Sequence, residues 1–126
     1  MWDYDSGHAK LLLRGFPDPE HEFSEEPGVV DVVFTGVRHV VLESAYPELT
    51  VARAGSAGLG EAWRDYVAQR EDLTVYQVEG GIATGYVVAD RVNWGHLSIP
   101  GGQASPIMRE DREMLEWCSD GTIFWL

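Results

Sequence analysis

Apolar and polar positions alternate most clearly in the stretch Val29–Ser44 (VVDVVFTGVRHVVLES). Before Thr35-Gly36, the apolar residues Val30, Val32 and Phe34 recur at every second position, against a mixed face of Val29, Asp31, Val33 and Thr35. After it, Val40 and Leu42 share a face with Arg38, and Val41 lies opposite with His39 and Glu43. Alternation with valine and phenylalanine enrichment predicts strand rather than helix. Gly36 between the two arms suits a turn or a bulge. The stretch is therefore read as an antiparallel hairpin, with one long bulged strand as the alternative.

The same reading extends along the chain. Asp3–His8 forms a polar lead-in to Ala9–Phe16, where Leu11, Leu12 and Leu13 in succession predict a strand buried on both faces or a covered edge, ended by Pro17. Glu48–Ala54 is a shorter strand with Leu49 and Val51 on one face, broken by Gly55-Ser56-Ala57-Gly58. Leu59, Ala62, Trp63, Tyr66, Val67 and Arg70 follow helical spacing, with Glu61, Arg64, Asp65 and Gln69 on the other side. This predicts one main amphipathic helix at about 58–70, with Trp63 and Tyr66 against a sheet.

Leu73–Glu79 and Ile82–Asp90 flank Gly80-Gly81, a hairpin signal, and Gly85 inside the second run suggests a bulge or a close backbone approach. Asn93–Ile99 is another strand. Ser105-Pro106 suits the N-cap and first position of a short helix through about Arg112. Beyond it, Asp120-Gly121 between Met114–Cys118 and Thr122–Leu126 favours a hairpin over a helix continued to Cys118. The closing Phe124-Trp125-Leu126 argues that this end docks on the sheet. The expected fold is α+β: a mostly antiparallel twisted β-sheet of about 7–9 strands with the 58–70 helix packed on it.

Composition narrows the object. The chain has 126 residues, 44% hydrophobic and 24% charged, which suits a single domain over 1–126 with its own core. Twenty-one acids face nine bases for a net charge of -12. That field repels phosphate backbones and anionic lipid, so neither nucleic acid nor membrane is expected as a partner, while a basic protein is. No apolar run approaches the roughly 20 residues that span a bilayer. The N-terminus lacks a basic segment followed by an apolar one, and Cys118 is the only cysteine, so a cytoplasmic protein without a disulfide is expected.

Candidate chemistry is sparse. Asp3, Asp5 and His8 resemble the start of a calcium loop, but Arg14 stands where a twelve-residue loop needs a glutamate. No phosphate-binding loop, dinucleotide fingerprint, zinc-protease motif, nucleophile elbow or C-x-x-C pair occurs. Cys118 with His39 or His96 as base lacks an activating neighbour in sequence. The expectation is no catalytic residue, no metal and no cofactor. The most distinctive polar segment is Pro17–Pro27 (PDPEHEFSEEP), a proline-bounded loop. Its Asp18, Glu20, Glu22, Glu25 and Glu26 surround Phe23 and form the candidate landing place for a basic partner.

Three features together resemble a group of small acidic β-rich bacterial immunity proteins that neutralise polymorphic toxins. They are Tyr4-Asp5-Ser6 leading into an apolar strand, the connector Phe16-Pro17-Asp18-Pro19, and the run VDVVFTGVRHVVLE at Val30–Glu43. The resemblance covers roughly the first 54 residues. Members often carry a histidine before the Asp-Ser step, and Tyr4 stands there instead, so no functional residue is carried over. The resemblance implies a protein-binding module that blocks a basic toxin domain. The alternatives are a small-ligand or hydrolytic cleft lined by His39, His96, Trp94 and Tyr86, and a self-associating structural domain whose exposed sheet edge pairs with a copy of itself, a homodimer being one such assembly.

Overall fold

The computed structural model describes residues 2–15, 29–44, 46–47, 49–97, 102, 104–109 and 122–125. Along the chain these form β1 (Trp2–Asp5), β2 (Lys10–Gly15), β3 (Val29–Thr35), β4 (His39–Val41) and β5 (Thr50–Ala54). A 3-10 turn at Ser56–Gly58 leads into α1 (Glu61–Ala68). Then come β6 (Thr74–Glu79), β7 (Gly85–Ala89), β8 (Arg91–Leu97), α2 (Pro106–Arg109) and β9 (Thr122–Trp125). The fold is α+β, with a five-stranded sheet ordered β1-β2-β3-β8-β9 and a four-stranded sheet ordered β4-β7-β6-β5. Every strand pair is antiparallel. No helix among the described residues is long and apolar enough to cross a membrane.

Period two in the sequence becomes a two-sided sheet. Leu11 and Leu13 of β2, Phe34 of β3 and Val92 of β8 meet Tyr76 and Val78 of β6 and Val87 and Ala89 of β7 in one buried cluster. The core thus lies between the two sheets, and Phe34 meets Tyr76 edge-on with ring centroids 5.2 Å apart. On its other face the four-stranded sheet is covered by α1. Leu59, Leu73, Val75 and Val88 form the buried centre there, with Trp63, Tyr66, Val67 and Tyr86 packed around it. The opposite face of the five-stranded sheet also holds buried residues. Leu12, Val33, Asn93, Arg14 and Asp31 are all buried, with Ile107 of α2.

Both faces of β2 are buried, as three leucines in succession require. The Gly80-Gly81 hairpin joins β6 to β7 in register Thr74↔Ala89 through Val78↔Gly85. Gly85 is a place of close approach: a Cβ there would lie 2.8 Å from the Tyr46 hydroxyl and from the Val41 carbonyl. α2 begins at Pro106, and β9 docks on β8 in register Asn93↔Trp125 through His96↔Thr122. The choice between helix and hairpin for Met114–Cys118 lies outside the described residues.

Two expectations are corrected. The arms of Val29–Ser44 do not pair with each other. β3 pairs with β2 and β8, whereas β4 pairs with β7 in the other sheet. Gly36, at φ 68, turns the chain from one sheet to the other. Hydrogen bonds from Val37 N–H to Ala9 O (2.9 Å), Arg38 N–H to Val88 O (2.8 Å) and Asp90 N–H to Thr35 O (3.0 Å) hold the crossing in place. Phe34 and Val40 still point at one core, but from opposite walls. The segment Asp3–His8 is not a plain lead-in either: β1 pairs along β2, and Ser6–Ala9 is the turn between them.

Candidate functional site

β1 is the outermost strand of the five-stranded sheet, and β2 is its only strand partner among the described residues. Its register sets Trp2 opposite Leu13 and Tyr4 opposite Leu11, on the face that looks toward the other sheet. Asp3 opposite Leu12 and Asp5 opposite Lys10 take the other face. Trp2 and Tyr4 remain 40% and 43% exposed, two of the four large exposed apolar side chains described. Two aromatics left open beside a formed core are unusual enough to suggest an unfilled contact.

Glu43 anchors this edge to the second sheet. Its carbonyl accepts the Trp2 indole N–H (3.1 Å), and its own N–H donates to the Tyr46 hydroxyl (2.9 Å). Its carboxylate accepts the N–H groups of Ile82 and Ala83 in the β6–β7 turn (3.0 and 3.4 Å). On β1 itself, Asp3 Oδ1 accepts the Tyr4 N–H (2.9 Å). Asp5 accepts the Gly7 N–H (3.0 Å) and meets His8 Nδ1 at 2.8 Å. That hydrogen bond from His8 holds the Asp5 carboxyl below the usual carboxylate range.

A cleft opens on each side of β1. Toward the four-stranded sheet, about 300 Å³ is lined by Trp2, Tyr4, Leu11, Val37 and Val40, with Arg38 at its side. On the outer face, about 1020 Å³ is lined by Asp3, Asp5, His8, Lys10 and Ser105, with Trp2 and Tyr4 bordering it as well. Lys10 Nζ donates to the Met108 carbonyl across this outer cleft (3.1 Å). The Ser105 hydroxyl is buried and has no hydrogen-bond partner among the described residues.

Asp18, Glu20, Glu22, Phe23, Glu25, Glu26 and Cys118 lie outside the described residues. His39, on β4, stacks on Trp63 of α1 with centroids 4.3 Å apart and planes 15° from parallel. Burial pushes its imidazole below the ordinary value. Tyr86 belongs to the same helix-covered face. Trp94 and His96 lie on β8 in the other sheet, with the His96 side chain outside the described set. Arg70, which the sequence pattern puts on the helix, lies just past its end at Ala68; it clasps Asp72 through Nε and Nη2 (2.9 and 2.8 Å) and donates to the Tyr66 hydroxyl (3.0 Å). Among the described residues no group of three His, Cys, Asp or Glu is placed to hold a metal.

Sequence reasoning passed over β1. The signal was there, because Trp2 and Tyr4 alternate with Asp3 and Asp5 as strand faces do, but two aspartates and a nearby glycine read as loop. Set against known proteins, the chain matches no family model, no curated protein and no solved structure.

Proposed function

We propose that this chain is a protein-binding module for a basic partner. The observation that carries the reading is β1, an outermost strand with two half-exposed aromatics alternating with two carboxylates on a chain of net charge -12. Aromatic anchors supply contact area at little entropic cost, and the surrounding acid field speeds encounter with a cation. The acidic segment Asp18–Glu26 carries the same sign of charge and adds to that field. The resemblance to immunity proteins of toxin systems makes a basic toxin domain the partner class, with inhibition by occlusion rather than by chemistry.

The test is capture by the immobilised full chain from its native host at low and raised salt. A basic protein should be retained, released by salt, and should associate at least about tenfold more slowly at high ionic strength. The quadruple variant Glu20→Gln, Glu22→Gln, Glu25→Gln and Glu26→Gln should fold normally and associate more slowly. Retention of only neutral or acidic proteins, or salt-independent association, would overturn the reading.

A further inference from the structure

The geometry points to β1 as an acceptor edge for strand addition, its occupant an extended segment of a partner in which apolar and basic residues alternate. This rests on the reading of the chain as a module for a basic partner and names where and how that partner sits. In an antiparallel pair, alternate residues turn their N–H and C=O groups away from the neighbouring strand. β1 has a neighbour on one side only among the described residues, so its other side presents main-chain groups to any strand laid beside it.

The two clefts decide what that strand must carry. Successive side chains of an added strand point to opposite faces. One set would enter the cleft walled by Trp2, Tyr4, Leu11 and Val40, which calls for apolar residues. The other set would enter the outer cleft, where Asp3 and Asp5 stand on β1 itself, next to the incoming strand, while Lys10 and Arg14 lie one strand further in on β2; the two near carboxylates call for lysine or arginine. The Ser105 hydroxyl, buried in the wall of that cleft and without a hydrogen-bond partner among the described residues, is an acceptor for such a donor.

Asp3 adds a guard. Its carboxylate already occupies the Tyr4 N–H, so a neutral strand meets a satisfied donor. A cation opposite Asp3 competes for that carboxylate and frees the Tyr4 N–H for a main-chain bond. The guard thus yields to a basic strand and resists others. A second copy of this chain is a poor occupant, since β1 against β1 sets Asp3 and Asp5 against the same residues of the copy.

The experiment uses the full chain, ¹⁵N-labelled, and a synthetic octapeptide alternating valine and lysine. The peptide should shift the amides of residues 2–5 and the Trp2 indole. A peptide of the same composition in two blocks should bind at least about tenfold more weakly. N-methylation of one alternate set of peptide amides should abolish binding, while methylation of the other set spares it. Asp3→Asn with Asp5→Asn should weaken binding roughly 3- to 10-fold.

Insensitivity to N-methylation in either set would overturn strand addition, because the contact would then run through side chains alone. A chain that sediments as a dimer dissociated by the peptide would overturn it too, by giving the edge to a second copy. If the peptide fails to bind while a captured basic protein still associates in a salt-dependent way, strand addition is wrong and the module reading stands. If both fail, both are wrong.

Discussion

Arg14 and Asp31 face each other across β2 and β3, and both side chains are buried. Arg14 donates through Nε to Asp31 Oδ1 (2.7 Å) and through Nη2 to Asp31 Oδ2 (2.8 Å), a two-bonded clasp on the outer face of the sheet. Removing the guanidinium leaves the Asp31 carboxylate without this clasp, as a buried charge in a medium that solvates it poorly. Arg14→Met should therefore cost about 3–5 kcal/mol, read as a fall in the urea midpoint. Adding Asp31→Leu to that variant should restore part of the loss, because it removes the stranded carboxylate. A single variant that loses little, or a double variant no better than the single, would refute this account. Neither residue announces the pair in sequence. Arg14 closes a leucine run and Asp31 sits on the mixed face of a valine run, and nothing local says that register sets them opposite.

At the scale of elements, the informative contrast is between two glycine junctions. Gly80-Gly81 and Gly36 both lie between alternating apolar runs, and both predict hairpins on local grounds. The first makes one, because β6 and β7 find each other as nearest partners. The second does not, because β3 and β4 each have a better partner far along the chain, in different sheets. Local alternation tells which residues form strands; partner choice is a long-range energy that no window of residues contains. The helix was legible for the opposite reason, since its spacing and its apolar stripe are both local properties. Gly36→Ala should destabilise by about 1–2 kcal/mol, because φ 68 strains any L side chain. A Cβ there would also meet the Asp90 side chain, its own Cβ at 2.9 Å, which rotation of that side chain does not clear, so steric repulsion adds to the backbone term. Gly55→Ala is the control: its φ of -79 suits alanine, and nothing lies within 4 Å of the added Cβ. It should lose no stability in the same denaturation series, and equal losses at both glycines would sink the explanation.

At the scale of the whole molecule, three layers meet where β4, the outermost strand of its sheet, passes under α1. His39 stacks on Trp63 there, and Trp63 meets Tyr66 edge-on at 5.5 Å. Burial lowers the His39 pKa in the folded chain, so the unfolded chain takes up a proton first as pH falls. The contribution of this group is present above the ordinary imidazole value and is lost as pH drops through the folded value. Stability should therefore decline between about pH 7.5 and about pH 5.5, and His39→Phe, which keeps a stacking ring, should flatten that slope. Urea midpoints of both proteins at the two pH values decide it; identical slopes would remove His39 as the cause. The working surface was less legible than the core. Apolar periodicity reports burial, so it finds Phe34 and Val87 readily. An exposed edge such as β1 breaks the rule that aromatics go inside, and Trp2 and Tyr4 look out of place until the sheet order is known.

The order β4-β7-β6-β5 bears on how the molecule is made. β4 and β5 leave the ribosome one after the other, yet they end as the two margins of one sheet with a later hairpin between them. Until residues 74–89 emerge, that sheet has margins and no middle, and β3 still lacks β8. The early half of the nascent chain can pair β1, β2 and β3, but it holds β4 and β5 without partners and one edge of β3 open until then. Arrival of the β6–β7 hairpin supplies the missing middle of that sheet and with it Tyr76, Val78, Val87 and Ala89 of the core between the sheets.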